Sequence, residues 1–254
     1  MTTTTVEAAP DRRKVWLEVL ALYGATLIAI RVVVDLVQGL GLPDLLLAAV
    51  PILFMYAPVW VCNWRGADPW AYPMALPSFR DREPWLEALR WLAILVLIVV
   101  VPFVVGYHLW QTVGVPALQD LLHVRLYRRL PELGWTWPSN PLKLVAYNLF
   151  FVAIPEEMFY RGYLQTRLNE ILPRRWVVFG TPVGPALLWT CLLFAFGHSL
   201  VIFQWWHAFI IVPSLAFGWL RERTNGIVAG AFFHAWCNVT VTTLDTLYGI
   251  VPPV

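Results

Sequence analysis

Residues Leu89–Leu109 read LRWLAILVLIVVVPFVVGYHL, and between Arg90 and His108 no side chain carries a charge. A helix rises about 1.5 Å per residue, so this run spans about 30 Å, the thickness of a bilayer's hydrocarbon core. Six more apolar runs flank it: Val15–Val37, Leu45–Val61, Leu142–Leu164, Pro185–Leu200, Trp205–Leu220 and Ile227–Leu247. The fifth and sixth runs in chain order are short. They are expected to be tilted, buried in the bundle, or joined by a tight turn near Ser199–Gln204. The expected fold is all-α: a polytopic transmembrane helical bundle of about seven spans plus an interfacial helix. The chain reads as a single integral membrane domain over 1–254.

Composition agrees. The chain is 59% hydrophobic and 13% charged, with mean hydropathy +0.63, where a soluble domain carries about 25% charged residues. The 15 tryptophans suit the two headgroup regions. A net charge of +2, with arginines gathered at the ends of apolar runs, excludes a nucleic-acid-tracking stripe and points to the lipid bilayer as partner. Cys62, Cys191 and Cys237 form no CxxC pair and read as reduced packing residues. Met1–Asp11 reads as a short disordered leader before an uncleaved first span, because the following run is too long for a signal peptide.

Arginine and lysine positions set the expected orientation. With the N-terminus cytoplasmic behind Arg12, Arg13 and Lys14, the cytoplasmic loops gain Arg65, Arg80, Arg82, Arg167, Arg174, Arg175, Arg221 and Arg223. One loop, Gly114–Pro141, disagrees, placing Arg125, Arg128 and Arg129 outside. Its segment Pro116–Leu130 has leucines at helical spacing and is expected to lie on the membrane surface as an amphipathic helix. The Pro-rich loop from Trp70 to Pro84 is expected to be irregular, with Trp70, Tyr72 and Trp85 at headgroup level.

Ionisable groups inside hydrocarbon cost at least ~2.5–3.5 kcal/mol each, so they are functional candidates. Three short segments within 142–247 concentrate them. The first is Pro155-Glu156-Glu157-Met158-Phe159-Tyr160-Arg161. Adjacent helical residues point about 100° apart, so the two glutamates are not expected to face one partner. Glu157 and Arg161, four apart, form the supporting pair, which leaves Glu156 free as a base; Pro155 is expected to disturb the helix just before it. The bland alternative is that both acids only balance Arg161. The second segment ends in Gly197-His198, with Gly197 small enough for close helix approach. The third is His234-Ala235-Trp236-Cys237-Asn238, with His234 and Asn238 on one helix face; Gly226–Gly230 before it suits tight packing. A single His in an apolar span is usually a packing residue. His108, His123 and His207 are read that way, Arg31 and Asp35 as a mutual pair, and Asp245 as interfacial.

Together these segments bring a carboxylate, two imidazoles and a carboxamide from three spans, an inventory that fits peptide hydrolysis. Glu156, helped by His198, would take a proton from water; His234 and Asn238 would stabilise the oxyanion. There is no GxSxG and no HExxH. Glu156, His198 and His234 are a plausible zinc set by residue type alone, but the expectation is a metal-free site with no cofactor.

The ordered set Glu156-Glu157-x-x-x-Arg161, Phe194-x-x-x-His198 and His234-x-x-x-Asn238, with Arg223-Thr224-Asn225-Gly226-Ile227 before the last, resembles the CAAX protease and bacteriocin-processing family. The resemblance covers roughly Leu142 to Thr243. It implies a glutamate-dependent intramembrane endopeptidase with Glu156 activating water beside His198, and His234 and Asn238 forming the oxyanion site. It implies a protein or peptide substrate with a hydrophobic or lipidated C-terminal segment and no nucleic acid. Pro155–Leu168 is similar to the myxosortase-like sorting group. Two rivals exist: a scaffold or immunity protein that binds a hydrophobic or lipidated peptide without cutting it, and a proton-relaying transporter. A binder does not need base and oxyanion donors together, and a transporter usually shows two similar halves, which this chain lacks.

Overall fold

The structure is a computed structural model that describes residues 10–123, 128–129, 138–201 and 205–251. Helix α1, Arg12–Gly39, starts where the Asp11 carboxylate accepts the Arg13 N–H at 2.9 Å. Helix α2 covers Asp44–Arg65 and ends at Gly66, whose φ of 68° suits glycine. Helix α3 covers Glu83–Leu122. These three are long and apolar enough to cross a membrane. The expected surface helix at Pro116–Leu130 is corrected in part: Val115–Leu122 simply continues α3, and 124–127 and 130 lie outside the described residues, as does most of the leader.

Helix α4 runs continuously over 141–169, capped by Asn140, and α5 covers Pro185–Val201. The sixth apolar run does not begin as an α-helix. Trp205–Ile210 forms a tighter 3₁₀ turn, and α6 covers Ile211–Thr224; the expected turn near Gln204 falls mostly outside the described residues. Helix α7 covers Val228–Leu247. A feature absent from the expectation is a hairpin of β1, Trp176–Val178, and β2, Thr181–Val183. Its two-residue turn puts Phe179 and Gly180 at φ 49° and 75°, the geometry that matches strand twist.

Helix α4 is the centre of the bundle. Phe159, Tyr160, Arg161 and Tyr163 are among the largest fully buried side chains, and α1, α2, α5, α6 and α7 all pack around it. Its winding is unusual. Asn148–Ala153 and Met158–Gln165 are π-helical, on either side of the α-helical Ile154–Glu157. Pro155 lacks the N–H that an α-turn would give to the Phe151 carbonyl, and such wide turns often sit at functional sites.

One end of the bundle is tied by charge. The Glu18 carboxylate accepts from Tyr163 Oη at 2.5 Å, Arg167 Nε at 3.0 Å and Arg65 Nη1 at 3.2 Å, joining α1, α2 and α4. Glu222 accepts from Asn169 Nδ2 at 2.6 Å, Gln165 Nε2 at 2.8 Å and Arg174 Nε at 2.8 Å, joining α4 and α6. Tyr72 belongs to this layer. It is buried, donates to Glu170 Oε1 at 3.1 Å and accepts from Arg65. Arg31 pairs with Asp35 at 2.8 Å, and Tyr107 donates to Asp245, joining α3 to α7.

Candidate active site

Glu157 and Arg161 are fully buried, with Nη1 to Oε1 at 2.9 Å. A buried ion pair offsets its desolvation only when the remaining polar atoms are served. Arg161 Nη2 also donates to Ser214 Oγ at 2.6 Å, and its guanidinium carbon lies 4.2 Å from the Phe194 ring centre and 5.2 Å from that of Phe217. A cation over aromatic faces is stabilised by their negative quadrupole. Phe194 opens the Phe194-x-x-x-His198 motif, whereas Ser214 and Phe217 carry no motif that would single them out in the sequence.

His234 sits next to this pair. Its Nδ1 lies 3.1 Å from Glu157 Oε1, and its ring stacks on Phe217 with centres 4.7 Å apart. Since Glu157 already serves Arg161 as a carboxylate, Nδ1 is the donor and the free Nε2 points away. That Nε2 is 3.7 Å from Glu156 Oε2. One imidazole therefore touches both glutamates, contrary to the expectation that they cannot share a partner. The reason is that its two nitrogens lie on opposite sides of the ring, so a 100° divergence between neighbours is bridged rather than fatal. Gly230 makes the room: a Cβ there would lie 3.0 Å from Glu157 Oε2.

His198 approaches from α5. Its Nδ1 lies 2.8 Å from the Phe194 carbonyl, so Nδ1 carries the proton, and its Nε2 is 3.9 Å from Glu156 Oε2. The Glu156 Oε2 atom is buried and makes no hydrogen bond among the described residues. It lies between two imidazole Nε2 atoms, each aimed by a bond on the far side of its ring. Asn238 lies one turn beyond His234 on α7, partly buried, and makes no hydrogen bond to a described residue. His207 packs edge-on to His198, with ring centres 5.7 Å apart. The described residues hold no group of three or more His, Cys, Asp or Glu side chains arranged for a metal ion.

Gly197 sets how closely α5 approaches. A Cβ there would come within 2.7 Å of Tyr160 Oη and 3.2 Å of Tyr23 Oη. Gly197→Ala is expected to destabilise the bundle by about 1–3 kcal/mol through overpacking. Adding Tyr160→Phe, which removes the clashing oxygen, should restore part of that in thermal unfolding; no restoration would place the strain elsewhere.

Residues 138–240 match the family model for type II CAAX prenyl endopeptidase Rce1-like proteins. The likeness covers about 40% of the chain. The matched region contains Glu156, Glu157, Arg161, His198, His234 and Asn238, and leaves α1, α2 and α3 outside. No curated protein and no solved structure matches the chain. The apolar helices suit an integral membrane protein, and the matched region is similar to type II CAAX prenyl endopeptidases.

Proposed function

We propose that the chain is a glutamate-dependent intramembrane endopeptidase in which Glu156 activates water. The observation that carries this reading is the buried Glu156 Oε2, with no hydrogen bond to a described residue and within 4 Å of two oriented imidazoles. A buried carboxylate oxygen is costly unless something polar meets it, and a water held between Glu156 and His198 answers that need.

In the proposed reaction, Glu156 takes a proton from that water while the water oxygen attacks the scissile carbonyl carbon. The carbonyl π pair moves onto oxygen, and the proton passes from Glu156 or His198 to the departing nitrogen as the C–N bond breaks. Asn238 donates its amide N–H to the oxyanion. His234 donates from Nε2 only as the imidazolium, because Nδ1 is committed to Glu157. Glu157 thus has a second proposed task beyond pairing with Arg161: it supports positive charge on His234. Substrates are protein or peptide chains with a hydrophobic or lipidated segment near the cut, and the mechanism assigns no step to a metal.

The test is cleavage of prenylated and transmembrane-tail peptides by purified protein in lipid, with and without chelator. Chelation is expected to leave the rate within about twofold; abolition by chelator, restored by zinc, would replace this chemistry with metal-assisted hydrolysis. Tight binding of a peptide without cleavage, unchanged by Glu156→Gln, would favour the scaffold reading instead.

A further inference from the structure

On α4 the site lies near mid-depth, with Glu156 15 residues from Pro141 and 13 from Asn169, but its side chains are not covered equally from the two ends. Glu18 and Glu222 tie the start of α1 to the ends of α2, α4 and α6 in one layer. Arg223 over the Trp91 ring, 5.3 Å away, brings the start of α3 into it. Arg65, Arg167, Arg174, Arg221 and Arg223 lie here, with Arg12–Lys14 close by in sequence at the start of α1. Basic residues at helix ends mark the cytoplasmic face. Arg125, Arg128 and Arg129 do not overturn this. They lie 12 to 16 residues before Pro141, the start of α4, and with Lys143 count toward the other end, but these four stand against the eight of Arg12, Arg13, Lys14, Arg65, Arg167, Arg174, Arg221 and Arg223.

Between that layer and the site, α4 is sealed: Tyr163, Leu164, Gln165 and Leu168 are all 0% exposed. In the other direction the site opens. Side-chain exposure is 0% at Glu157 and Arg161, 4% at His234, 13% at Glu156 and 28% at His198. His198 stands about 20 Å from the Pro185 end of α5 but only about 5 Å from its Val201 end, at 1.5 Å per residue. At that end Arg31 Nη1 donates to the Val201 carbonyl at 2.6 Å while pairing with Asp35, both about half exposed. Half-exposed charges are too costly for hydrocarbon, so water reaches α5 within one turn of His198.

We infer that the site opens on the face opposite the arginine-rich end, so that its substrate is a polypeptide tail presented outside the cytoplasm. The entry face stands on the geometry alone; the substrate rests on the protease reading above. A lipidated tail in the cytoplasm would meet the sealed side.

The test places single cysteines at exposed apolar positions in a Cys237→Ala background. Leu200→Cys lies two residues, about half a turn, past His198 toward the Val201 end, where Leu200 is 46% exposed, and Phe179→Cys lies at the hairpin tip, where Phe179 is 88% exposed. A membrane-impermeant maleimide is added to intact cells and to inside-out vesicles. Leu200→Cys is expected to label at least about tenfold faster in intact cells, and Phe179→Cys with the opposite preference. Leu200→Cys labelled only in inside-out vesicles, or from neither face, overturns the inference, the second result placing the mouth in lipid. Should Leu200→Cys fail to fold, Phe179→Cys labelled in intact cells overturns it alone. Peptide cleavage is measured separately, so a correctly labelled but inactive protein refutes the protease reading and leaves the entry face standing.

Discussion

Glu156→Gln is expected to lower peptide cleavage by about 10²-fold or more while leaving the folded bundle intact. The size follows from losing a positioned base, typically worth about 10²–10⁴-fold. The amide has nearly the shape of the carboxylate but cannot take water's proton. Stability should hold because Glu156 Oε2 bonds to no described residue, so no protein network breaks on substitution. Glu157→Gln provides the contrast. Glu157 Oε1 meets both Arg161 and His234, so that change should reduce activity and thermal stability together. Rate and unfolding midpoint measured on the same preparations separate the two neighbours. Equal effects at 156 and 157 would mean that the pair acts as one structural unit.

Arg161→Leu is expected to be the most destabilising single change, at about 3–5 kcal/mol, the usual cost of leaving one partner of a buried pair uncompensated. The Glu157 carboxylate would remain in a fully buried position with only His234 beside it. The double variant Glu157→Leu with Arg161→Leu should recover much of the loss, since apolar pairs replace buried ion pairs at little cost. Denaturation in mixed micelles reads both variants. A wild-type midpoint for Arg161→Leu would show that Ser214 and the aromatic rings do not depend on the cation.

Much of this architecture is legible in residue order. Apolar run lengths locate the seven helices of the described chain to within about five residues, except α3, whose helix continues at both ends past its apolar stretch, and α6, which starts six residues into its run. The i,i+4 spacing of Glu157 and Arg161 gives their pairing directly. The proximity of Glu156, His198 and His234 follows from motifs on spans that have nowhere to bury polar atoms except against each other. What escapes is local winding and distant partnership. A constant 3.6-residue period cannot show π-turns on either side of Pro155, nor that one imidazole spans two adjacent glutamates. Residue order does not show that Tyr72 bonds to Glu170 and Arg65, and Ser214 gains meaning only when α6 packs on Arg161.

The most direct test of glutamate-activated water uses purified protein in lipid nanodiscs, a transmembrane-tail peptide panel, and water enriched in oxygen-18, with products read by mass spectrometry. The account predicts that wild type yields a fragment whose new C-terminal carboxylate carries the heavy oxygen. Glu156→Gln, melting at the wild-type temperature, should yield about 10²-fold less. Cleavage that persists at the wild-type rate in Glu156→Gln would contradict it.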